Sequence, residues 1–421
     1  MLLIKNVTIL DPRSKHHGKK RDIHIRNGKI ESIKAKLDIP KVKVLDGTGA
    51  MVSIGWLDVG VQTGDPGFEH REDLRTVAAA AAAGGYTGIA CWPNTSPSIH
   101  SKSEVLYLKN SARNNLVDLF PIGAVSQNCE GIDITEMYDM YHAGAVAFSD
   151  GKKAIQNSGL MMRALQYVKA FDGTVMNHPH NSDIAGNGQM HEGKNSTSLG
   201  MKGIPRLAEE LMVQRDIYLV EYTDSKLHLS NISSETSEAL VAAAKQKKLN
   251  ITSSVSILNL IFSDEKLMDF DTQFKVIPPL REASDIKALR KGLKNGTIDI
   301  ITSNHRPVEE EGKNLEFFNA DFGALGLQTT YSLYNTHLTK VIGVEDFLEK
   351  VAIRPRQLLN IDLPEIEEGA EANLTIFDPS HEWTFTKKNI LSKSKNSPMI
   401  GMELKGKVLG VVNNGKSKVF I

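Results

Sequence analysis

The sequence predicts a parallel α/β fold, either a barrel or an open sheet, together with one small sheet module made from both ends of the chain. Three observations predict this class. Strand-like and helix-like segments alternate through the long middle of the chain, whereas both ends contain only short strand-like segments. The length of 421 residues is long for one hydrophobic core, and it suits a large barrel-type domain with a smaller module.

The two chain ends are predicted to form the small sheet module. Strand patterns cover residues 2–10, 21–33 and 41–49 near the N-terminus, and 372–379 and 401–421 near the C-terminus. The segment "RNGK" inside the second pattern predicts a hairpin, because asparagine and glycine tolerate the positive φ angles of a tight turn. Two β-rich ends that flank a different middle indicate a single module.

The middle of the chain repeats a strand followed by a helix. Strand-like segments occupy residues 173–178, 226–233, 249–256 and 297–304. Helical patterns occupy residues 233–248, 284–293 and 343–353, and the first of these has a serine N-cap and apolar residues at helical spacing. Such units predict parallel strands covered by helices. The alanine run from Ala78 to Ala83 is interpreted as a helix packed closely against its neighbours.

Composition and charge favour an ordinary globular protein of the cytosol. Apolar residues make up 41% and charged residues 24%, and 50 basic residues balance 50 acidic ones, which gives no global field for nucleic acid or an anionic membrane. The N-terminus lacks the pattern of a signal peptide, and the uniform stretch 77–83 is too short to cross a bilayer. Cys91 and Cys129 form no disulfide framework and are interpreted as buried small hydrophobic residues.

Polar side chains at the ends of predicted strands indicate a candidate site. Asp150, His178, His228 and Asn304 each lie at or near the end of a strand-like segment. In a β/α barrel the chemistry lies at the C-terminal ends of the strands. Oxygen and imidazole donors that converge there from separate strands form a zinc-type site. Each position alone is more readily a capping or core residue than a ligand, so the prediction depends on their joint recurrence.

Several longer motifs resemble those of the class I dihydroorotases of the amidohydrolase superfamily, in the same order and nearly end to end. They are "GWLDVGVQTGDPGFEHREDLRT", "AAAGGYTGIACWPNTSP", "GAVAFSDG", "HEGKNSTSLGMKGIPRLAEE", "KVIPPLR", "GALGLQT" and "GAEANLTIFDP". The resemblance implies a distorted TIM (β/α)8 barrel at residues 53–362 beside a β-sandwich built from residues 1–52 and 363–421. It also implies reversible, zinc-dependent opening or closing of the dihydroorotate ring in pyrimidine synthesis.

The motif after the first barrel strand departs from the family pattern D-x-H-x-H-x-R-x-P-G. Asp58, Pro66 and Gly67 are kept. The two metal-binding histidines are replaced by Gly60 and Gln62, and the arginine that grips the substrate carboxylate is replaced by Gly64. Glycine offers no donor to a metal, and a glutamine oxygen is a poor replacement for imidazole on zinc.

The later motifs are kept in part. The resemblance assigns the remaining metal ligands to Asp150, His178 and His228, and a substrate contact to Asn94. Asn304 occupies the position of the family's metal-binding proton shuttle, and a neutral amide cannot accept and return a proton at physiological pH. Two further substrate contacts of the family are replaced by Ile277 and Val308.

Three remaining donors predict at most a residual site for a single zinc ion, since catalytic zinc sites commonly use three protein ligands and one water. Nearby residues offer alternatives: a metal recruiting His180 or His191, and an anion recruiting Arg306. For the two histidines a solvated position in a loop is the preferred interpretation. Asp65 keeps a carboxylate near the expected pocket, at a position that carries no metal in the family.

Three functional hypotheses follow. The leading one is a catalytically inactive dihydroorotase homologue, here a homo-oligomer, that serves as a structural partner of aspartate transcarbamoylase. The alternative is an active cyclic amidohydrolase with a single zinc ion held by Asp150, His178 and His228. The third is a small-molecule sensor that keeps the shape of the pocket without its chemistry. No nucleic acid or membrane is expected as a partner.

Overall fold

The fold is that of a computed structural model, which describes residues 1–113 and 115–420. Its N-terminal strands are β1 (Leu2–Ile9), β2 (Lys20–Arg26), β3 (Lys29–Lys34), β4 (Lys43–Asp46) and β5 (Met51–Ile54). The predicted hairpin between β2 and β3 is confirmed, because Asn27 and Gly28 have φ angles of 50° and 81° between antiparallel strands.

Ten strands follow in the middle of the chain. They are β6 (Trp56–Val61), β7 (Tyr86–Cys91), β8 (Asp118–Gly123), β9 (Ala147–Phe148), β10 (Val175–Asn177), β11 (Met190–His191), β12 (Gly203–Ile204), β13 (Leu227–Leu229), β14 (Ile251–Ser256) and β15 (Ile300–Thr302). Eight of them pair side by side in the order β6-β7-β8-β9-β10-β13-β14-β15, and β11 pairs with β12 in a separate small sheet. All four strand-like segments predicted for the middle contain a strand of this parallel sheet.

The first and last strands of this sheet come together, so the sheet is a nearly closed barrel rather than an open one. Just beyond β15, the backbone N–H of Ser303 donates to Asp58 Oδ1 at 3.1 Å, and the Ser303 hydroxyl donates to Asp58 Oδ2. The N–H of Gln62 donates to the carbonyl of His305 at 3.2 Å. Asp58, which lies on β6, therefore joins the two edges of the sheet.

Helices surround the barrel and lie in its loops. They are α1 (Leu74–Ala83), α2 (Lys102–Ser111), α3 (Met137–Ala143), α4 (Ser158–Lys169), α5 (Ser182–Ala185), α6 (Lys194–Ser198), α7 (Leu207–Thr223), α8 (Glu235–Gln246), α9 (Ala283–Asn295), α10 (Glu310–Lys313), α11 (Thr330–His337), α12 (Val344–Leu348) and α13 (Arg354–Leu358). The predicted N-cap of α8 is confirmed, since Ser234 Oγ accepts from the N–H of Ser237 at 3.1 Å. The alanine run lies in α1, where Ala80 to Ala82 are buried. Among the described residues, no helix is long and apolar enough to cross a membrane.

The C-terminal strands complete the sheet domain. They are β16 (Leu374–Thr384), β17 (Glu403–Asn413) and β18 (Lys416–Val419). Together with the N-terminal strands they form one eight-stranded sheet in the order β18-β17-β16-β5-β1-β2-β3, with β4 paired to β1. The prediction of one sheet module from both chain ends is confirmed. The predicted boundary at residue 52 falls within β5, and the other domain limits stay predictions.

Trp56 lies at the junction of the barrel and the sheet domain. Its ring contacts Tyr86 on β7, Tyr331 on α11 and Phe377 on β16, with centroids 6.1, 5.4 and 5.4 Å away. Its indole N–H donates to Ser53 Oγ at 3.0 Å, and the residue is 1% exposed. Because aromatic contacts from both domains meet on one side chain, Trp56 couples the stability of the two domains.

We therefore expect Trp56→Ala to lower the free energy of unfolding by about 3–5 kcal/mol, because it leaves a large cavity at this junction. Urea denaturation followed by circular dichroism measures the change. Phe318→Ala is the matched control, since Phe318 is an aromatic residue that is 55% exposed, and its effect should stay within about 0.5 kcal/mol. A loss below 1 kcal/mol for Trp56→Ala would contradict the role of Trp56 at the junction.

Candidate active site at the barrel mouth

The candidate residues lie at the C-terminal ends of neighbouring barrel strands. Asp150 follows β9, His178 follows β10, His228 lies on β13 and Asn304 follows β15. All four side chains are buried, with at most 6% of each exposed. The strand order therefore brings the predicted positions to one end of the barrel, which we call the barrel mouth. Their individual contacts decide what each can do.

The space that a side chain at position 60 would need is filled by Trp92. Gly60 has a φ of +86°, and a Cβ atom built on it would lie 2.5 Å from the Trp92 indole. Trp92 itself is 2% exposed. A non-glycine residue at this position thus meets both an unfavourable backbone conformation and a steric clash. This strand end therefore favours glycine at position 60, with the Trp92 indole packed against its backbone.

The backbone excludes a side chain at position 64 as well. Gly64 has a φ of +71°, and a Cβ atom there would lie 2.5 Å from the carbonyl oxygen of Glu72 and 2.9 Å from that of Phe68. Its own carbonyl accepts from the N–H of Phe68 at 2.7 Å, which closes a tight turn. An arginine clamp at this position would require a different loop. Gln62 is half-buried, so its position is not closed in this way.

Both carboxylate oxygens of Asp150 are already hydrogen-bonded. Oδ1 accepts from the N–H of Ser126 at 2.8 Å, and Oδ2 accepts from the Ser126 hydroxyl at 2.5 Å. Burial raises the pKa of Asp150, and these bonds act in the opposite direction. Ser126 Oγ also accepts from the N–H of Gly131 at 2.7 Å. Asp150 therefore orders the loop that contains Ser126.

His228 is engaged through both ring nitrogens. Nδ1 lies 2.9 Å from Thr252 Oγ1 and Nε2 lies 3.0 Å from Ser254 Oγ, and the side chain is fully buried. Burial lowers the pKa of His228 to about 3, so the ring is neutral. A metal at Nε2 would have to displace the Ser254 hydroxyl.

His178 differs from these two residues because one of its nitrogens is free. Nδ1 lies 3.2 Å from the carbonyl oxygen of Ser230, whereas Nε2 is buried and has no hydrogen-bond partner among the described residues. Burial and the neighbouring Lys152 ammonium lower the pKa of His178 well below its usual value, so Nδ1 carries the proton and Nε2 keeps a lone pair. His180 stacks parallel to the His178 ring, with centroids 6.2 Å apart, and is half-buried. His180 lies in a loop as predicted, and it is half-buried rather than fully solvated.

Asn304 accepts a hydrogen bond from Lys152, a residue that the sequence analysis did not predict for the site. Lys152 Nζ donates to Asn304 Oδ1 at 2.5 Å, and Asn231 Nδ2 approaches the same oxygen at 3.4 Å. Asn304 Nδ2 donates to the carbonyl of Ile277 at 3.0 Å. Burial, with Arg306 as the next cause, lowers the pKa of Lys152 to about 7. The signal for this residue was its position two residues after Asp150 in "SDGKK", on the same strand-end loop.

Arg306 adds a second cationic side chain near Lys152. It is partly buried, and among the described residues its guanidinium forms no hydrogen bond and no ion pair within 4 Å. Burial lowers the pKa of Arg306, and the more distant Asp321 opposes this shift. Val308 is buried, and its N–H donates to Asn396 Oδ1 at 3.1 Å. The mouth thus contains Lys152 and Arg306 together.

Asn94 contacts the protein backbone with both ends of its amide. Nδ2 donates to the carbonyl of Asp150 at 2.9 Å, and Oδ1 accepts from the N–H of Lys152 at 2.8 Å. Gly151 lies between them, where a Cβ atom would be 2.0 Å from Asn94 Oδ1. Asn94 therefore fixes the turn that places Lys152, and its contact with a substrate stays a prediction.

The predicted ligand set does not fit zinc in this structure. Asp150 and His228 have their ligand atoms engaged by hydroxyl and N–H donors, and His178 has a cationic neighbour in Lys152. Among the described residues, Asp150, His178 and His228 do not form a group of potential ligand atoms within 4.8 Å of one another. An ammonium beside the free nitrogen disfavours a cation there. These three residues therefore form no preformed zinc site, and their assignment as metal ligands stays a prediction.

A different cluster, His191, Glu282 and Asp285, meets that distance condition. The Arg206 guanidinium forms ion pairs with both carboxylates of this cluster, at 2.8 Å from Glu282 and 2.7 Å from Asp285. Arg281 approaches His191 Nδ1 at 3.1 Å, which places the ring proton on Nε2. The cluster is therefore a neutralised ion network rather than a cation site. His191 is fully buried within it, so its interpretation as a solvated loop residue is wrong.

The comparisons with known proteins agree with this fold and chain length. A family model described as Dihydro-orotase-like matches residues 49–237. A dihydroorotase of Pelotomaculum thermopropionicum is 39% identical over 99% of this chain and 97% of its own length. A dihydroorotase of Acetivibrio thermocellus is also 39% identical, over 98% of each chain.

Solved structures of cyclic amide hydrolases share the architecture. An L-hydantoinase of Arthrobacter aurescens aligns with a TM-score of 0.85 at 23% identity, covering 100% of this chain and 97% of its own. A dihydropyrimidinase of Brevibacillus agri aligns with a TM-score of 0.82 at 20% identity, covering 99% of this chain and 94% of its own. At this level of identity the likeness concerns the fold alone.

We expect Gly60→His to lower the free energy of unfolding by about 2–5 kcal/mol, because the imidazole meets both the positive φ and the Trp92 indole. Chemical denaturation measures the loss. Gln62→His is the matched control, since position 62 is half-buried and not closed by the backbone, and its cost should be about 1 kcal/mol or less. Equal stability of Gly60→His and wild type would show that the mouth still accommodates a histidine at position 60.

Proposed function

The chain belongs to the dihydroorotase family, and on this basis we propose that it is a member that does not open or close the dihydroorotate ring and that serves as a structural partner of aspartate transcarbamoylase. The proposal places the protein in pyrimidine synthesis, in the cytosol, without a catalytic turnover of its own. The observation that carries the loss of activity is the hydrogen bond from Lys152 to Asn304 at the barrel mouth.

This contact opposes the family's chemistry in two ways. The reaction requires a Lewis acid and a group that exchanges a proton, and the family's zinc ions supply the first. Lys152 acts on His178, one of the donors that would have to receive a metal, and the ammonium form of the lysine repels a cation there. Asn304 is an amide that is already bonded on both sides, so it exchanges no proton.

The expected loss in rate is large. General acid–base catalysis contributes roughly 10²–10⁴-fold in rate, and the shuttle position holds no acid or base. Orientation of the substrate carboxylate by a bidentate arginine is lost as well, because the turn at Gly64 leaves no room for a side chain. Both effects add to the absence of a fitting metal site.

The near full-length sequence match and the closed barrel support the proposed partner role. Its match to the curated relatives runs nearly end to end, and hydrogen bonds between Asp58 and Ser303 close the barrel. Interface and core residues keep their function when the catalytic chemistry is lost, so a family member without activity still has a reason to retain the fold. The identity of the partner is carried over from the family resemblance.

A homo-oligomer is also part of the proposal, and one face of α7 supports it. Leu207, Leu211, Tyr218 and Tyr222 are exposed on that face, with the two tyrosines 70% and 73% exposed. Apolar stripes of this kind are typical of protein interfaces. Their spacing is symmetric about the middle of the helix, so a twofold axis there would place each leucine opposite a tyrosine of a second copy.

The second candidate is an active enzyme with one zinc ion, and the free Nε2 of His178 is the observation in its favour. A histidine whose Nδ1 is held by a carbonyl while Nε2 remains available is the usual arrangement of a metal ligand. Asp150 and His228 would both have to exchange their hydrogen bonds to join it. The first proposal requires no such rearrangement.

We expect the purified protein to contain less than stoichiometric zinc and to show no ring opening or closing when zinc is added. Elemental analysis and a turnover assay in both directions measure this, with the dihydroorotase of Pelotomaculum thermopropionicum as the active control. A chelator should leave the melting temperature unchanged, because a ligand that binds only the folded state would otherwise stabilise it. Stoichiometric zinc together with measurable turnover would establish the second candidate instead.

We further expect aspartate transcarbamoylase of the same organism to assemble with this chain and to lose activity or defined stoichiometry without it. Reconstitution from the two purified proteins, followed by sedimentation velocity, measures the complex, and sedimentation of the free chain measures its own oligomeric state. The Pelotomaculum relative is a control of the same fold from another organism. A transcarbamoylase that is fully assembled and active alone would remove the partner role, and a monomeric free chain would remove the homo-oligomer.

A further inference from the structure

A pocket of about 420 Å³ lies at the N-terminal end of the barrel strands, opposite the barrel mouth. Gly88 on β7 and Asp118 at the start of β8 line it from the barrel, and Asn413 at the end of β17 lines it from the sheet domain. Arg356 on α13 and several of residues 361–365 line it as well. The pocket therefore lies between the two domains, where small-molecule sites are common.

Hydrogen bonds between distant segments hold the walls of this pocket in place. The two oxygens of Asp118 accept from Asn413 Nδ2 at 2.9 Å and from Asn414 Nδ2 at 2.8 Å. On the other wall, the carbonyl of Pro364 accepts from Arg13 Nη2 at 2.7 Å. Because these bonds join the barrel and the segment after α13 to the sheet domain, the shape of the pocket is part of the folded structure.

Arg356 is a buried cation of this pocket without a directly contacting anion. The residue is 3% exposed, and its Nη1 donates to the carbonyl of Ala352 at 2.7 Å. Among the described residues, its other nitrogens have no hydrogen-bond acceptor, and no carboxylate lies within 4 Å of them. Burial lowers the pKa of Arg356 to about 10 and Asp118 opposes this shift, so the guanidinium is charged at neutral pH. Buried donors without acceptors are costly, and a guanidinium has five of them.

The exposed edge of the same pocket is acidic. Asp362 and Glu365 line it, both are exposed, and within the described part of the chain neither carboxylate forms a hydrogen bond or an ion pair. With Asp118 and Glu371, four carboxylates and one guanidinium line the pocket. The lining thus carries more negative than positive charge, which disfavours a ligand that carries negative charge alone.

We propose that this pocket binds a small zwitterion of the amino acid class, with its carboxylate on Arg356 and its ammonium group toward Asp362 and Glu365. Arginine binds a carboxylate in bidentate fashion, and such a ligand supplies the acceptor that the buried donors lack. The acidic edge favours a ligand whose remaining part is cationic, because the charges are then complementary. The site lies at the opposite end of the barrel from the mouth, so the inference goes beyond the proposed function and does not depend on it.

Four probes of similar size test the class of ligand, by ligand-observed NMR titration of the full chain at about 150 mM salt, where distant charges are screened. L-α-Aminobutyrate and γ-aminobutyrate carry both charges at different separations, whereas butyrate carries the carboxylate alone and n-butylamine the ammonium alone. We expect at least one zwitterion to bind about 10-fold or more tightly than butyrate and butylamine, since each of these loses one charged contact. The tighter isomer indicates the separation of the two charges that the pocket prefers.

Substitutions in the pocket lining locate the binding. Arg356→Gln should weaken binding of the tighter zwitterion by about 10-fold or more, because a neutral amide replaces the charged fork. Asp362→Asn combined with Glu365→Gln should lower the preference for that zwitterion over butyrate by about 3-fold, since exposed charges contribute modestly. Glu368→Gln is the matched control, because Glu368 is an exposed carboxylate of the same segment outside the pocket lining. If Arg356→Gln does not fold, the exposed double variant carries the test.

The possible outcomes at this pocket are separable. Failure of all four probes to bind, or equal binding of the zwitterion by wild type and a folded Arg356→Gln, would overturn the site. Butyrate or butylamine binding as tightly as both zwitterions would overturn the proposed class of ligand. A double variant that keeps the full preference for the zwitterion over butyrate would overturn the role of the acidic edge. These readouts measure binding far from the barrel mouth, so this inference and the proposed function fail independently.

Discussion

The hydrogen bond between the Lys152 ammonium and Asn304 is the interaction on which the character of the barrel mouth depends. Asn94 fixes the turn that places Lys152, and Asn304 receives it while bonding Ile277 from its other side. Burial lowers the pKa of the neighbouring His178 ring, and the ammonium form of Lys152 acts in the same direction.

The backbone supports the same conclusion independently of charge. At Gly60 the space for a side chain is occupied by Trp92, and at Gly64 it is closed by the carbonyls of Phe68 and Glu72. These positions have φ values that glycine adopts readily and other residues do not. The two glycines that depart from the family pattern are therefore favoured by the local backbone conformation and packing. Restoring single ligands by substitution would meet steric resistance before it could restore chemistry.

Hydrogen bonds and aromatic contacts between distant segments hold the scaffold together. Asp58 closes the barrel through Ser303, and Trp56 joins the barrel to the sheet domain through aromatic contacts. Farther from the centre, Arg206 neutralises the carboxylates of Glu282 and Asp285, and Arg281 donates to His191 Nδ1. None of these contacts involves Asp150, His178 or His228, the predicted metal ligands. This independence lets a family member keep its fold while its site takes another role.

The sequence by itself determined the repeated strand–helix units, the sheet module from both chain ends and the strand ends at which Asp150, His178 and Asn304 lie. These features follow from local periodicity, turn residues and motifs, all of which involve residues close together in the sequence. Only the tertiary structure decided that Trp92 fills the space beside Gly60, that His228 is engaged on both sides, and that Lys152 reaches Asn304. Such contacts join residues far apart in the chain. Their geometry depends on how strands and loops pack, which no local pattern encodes.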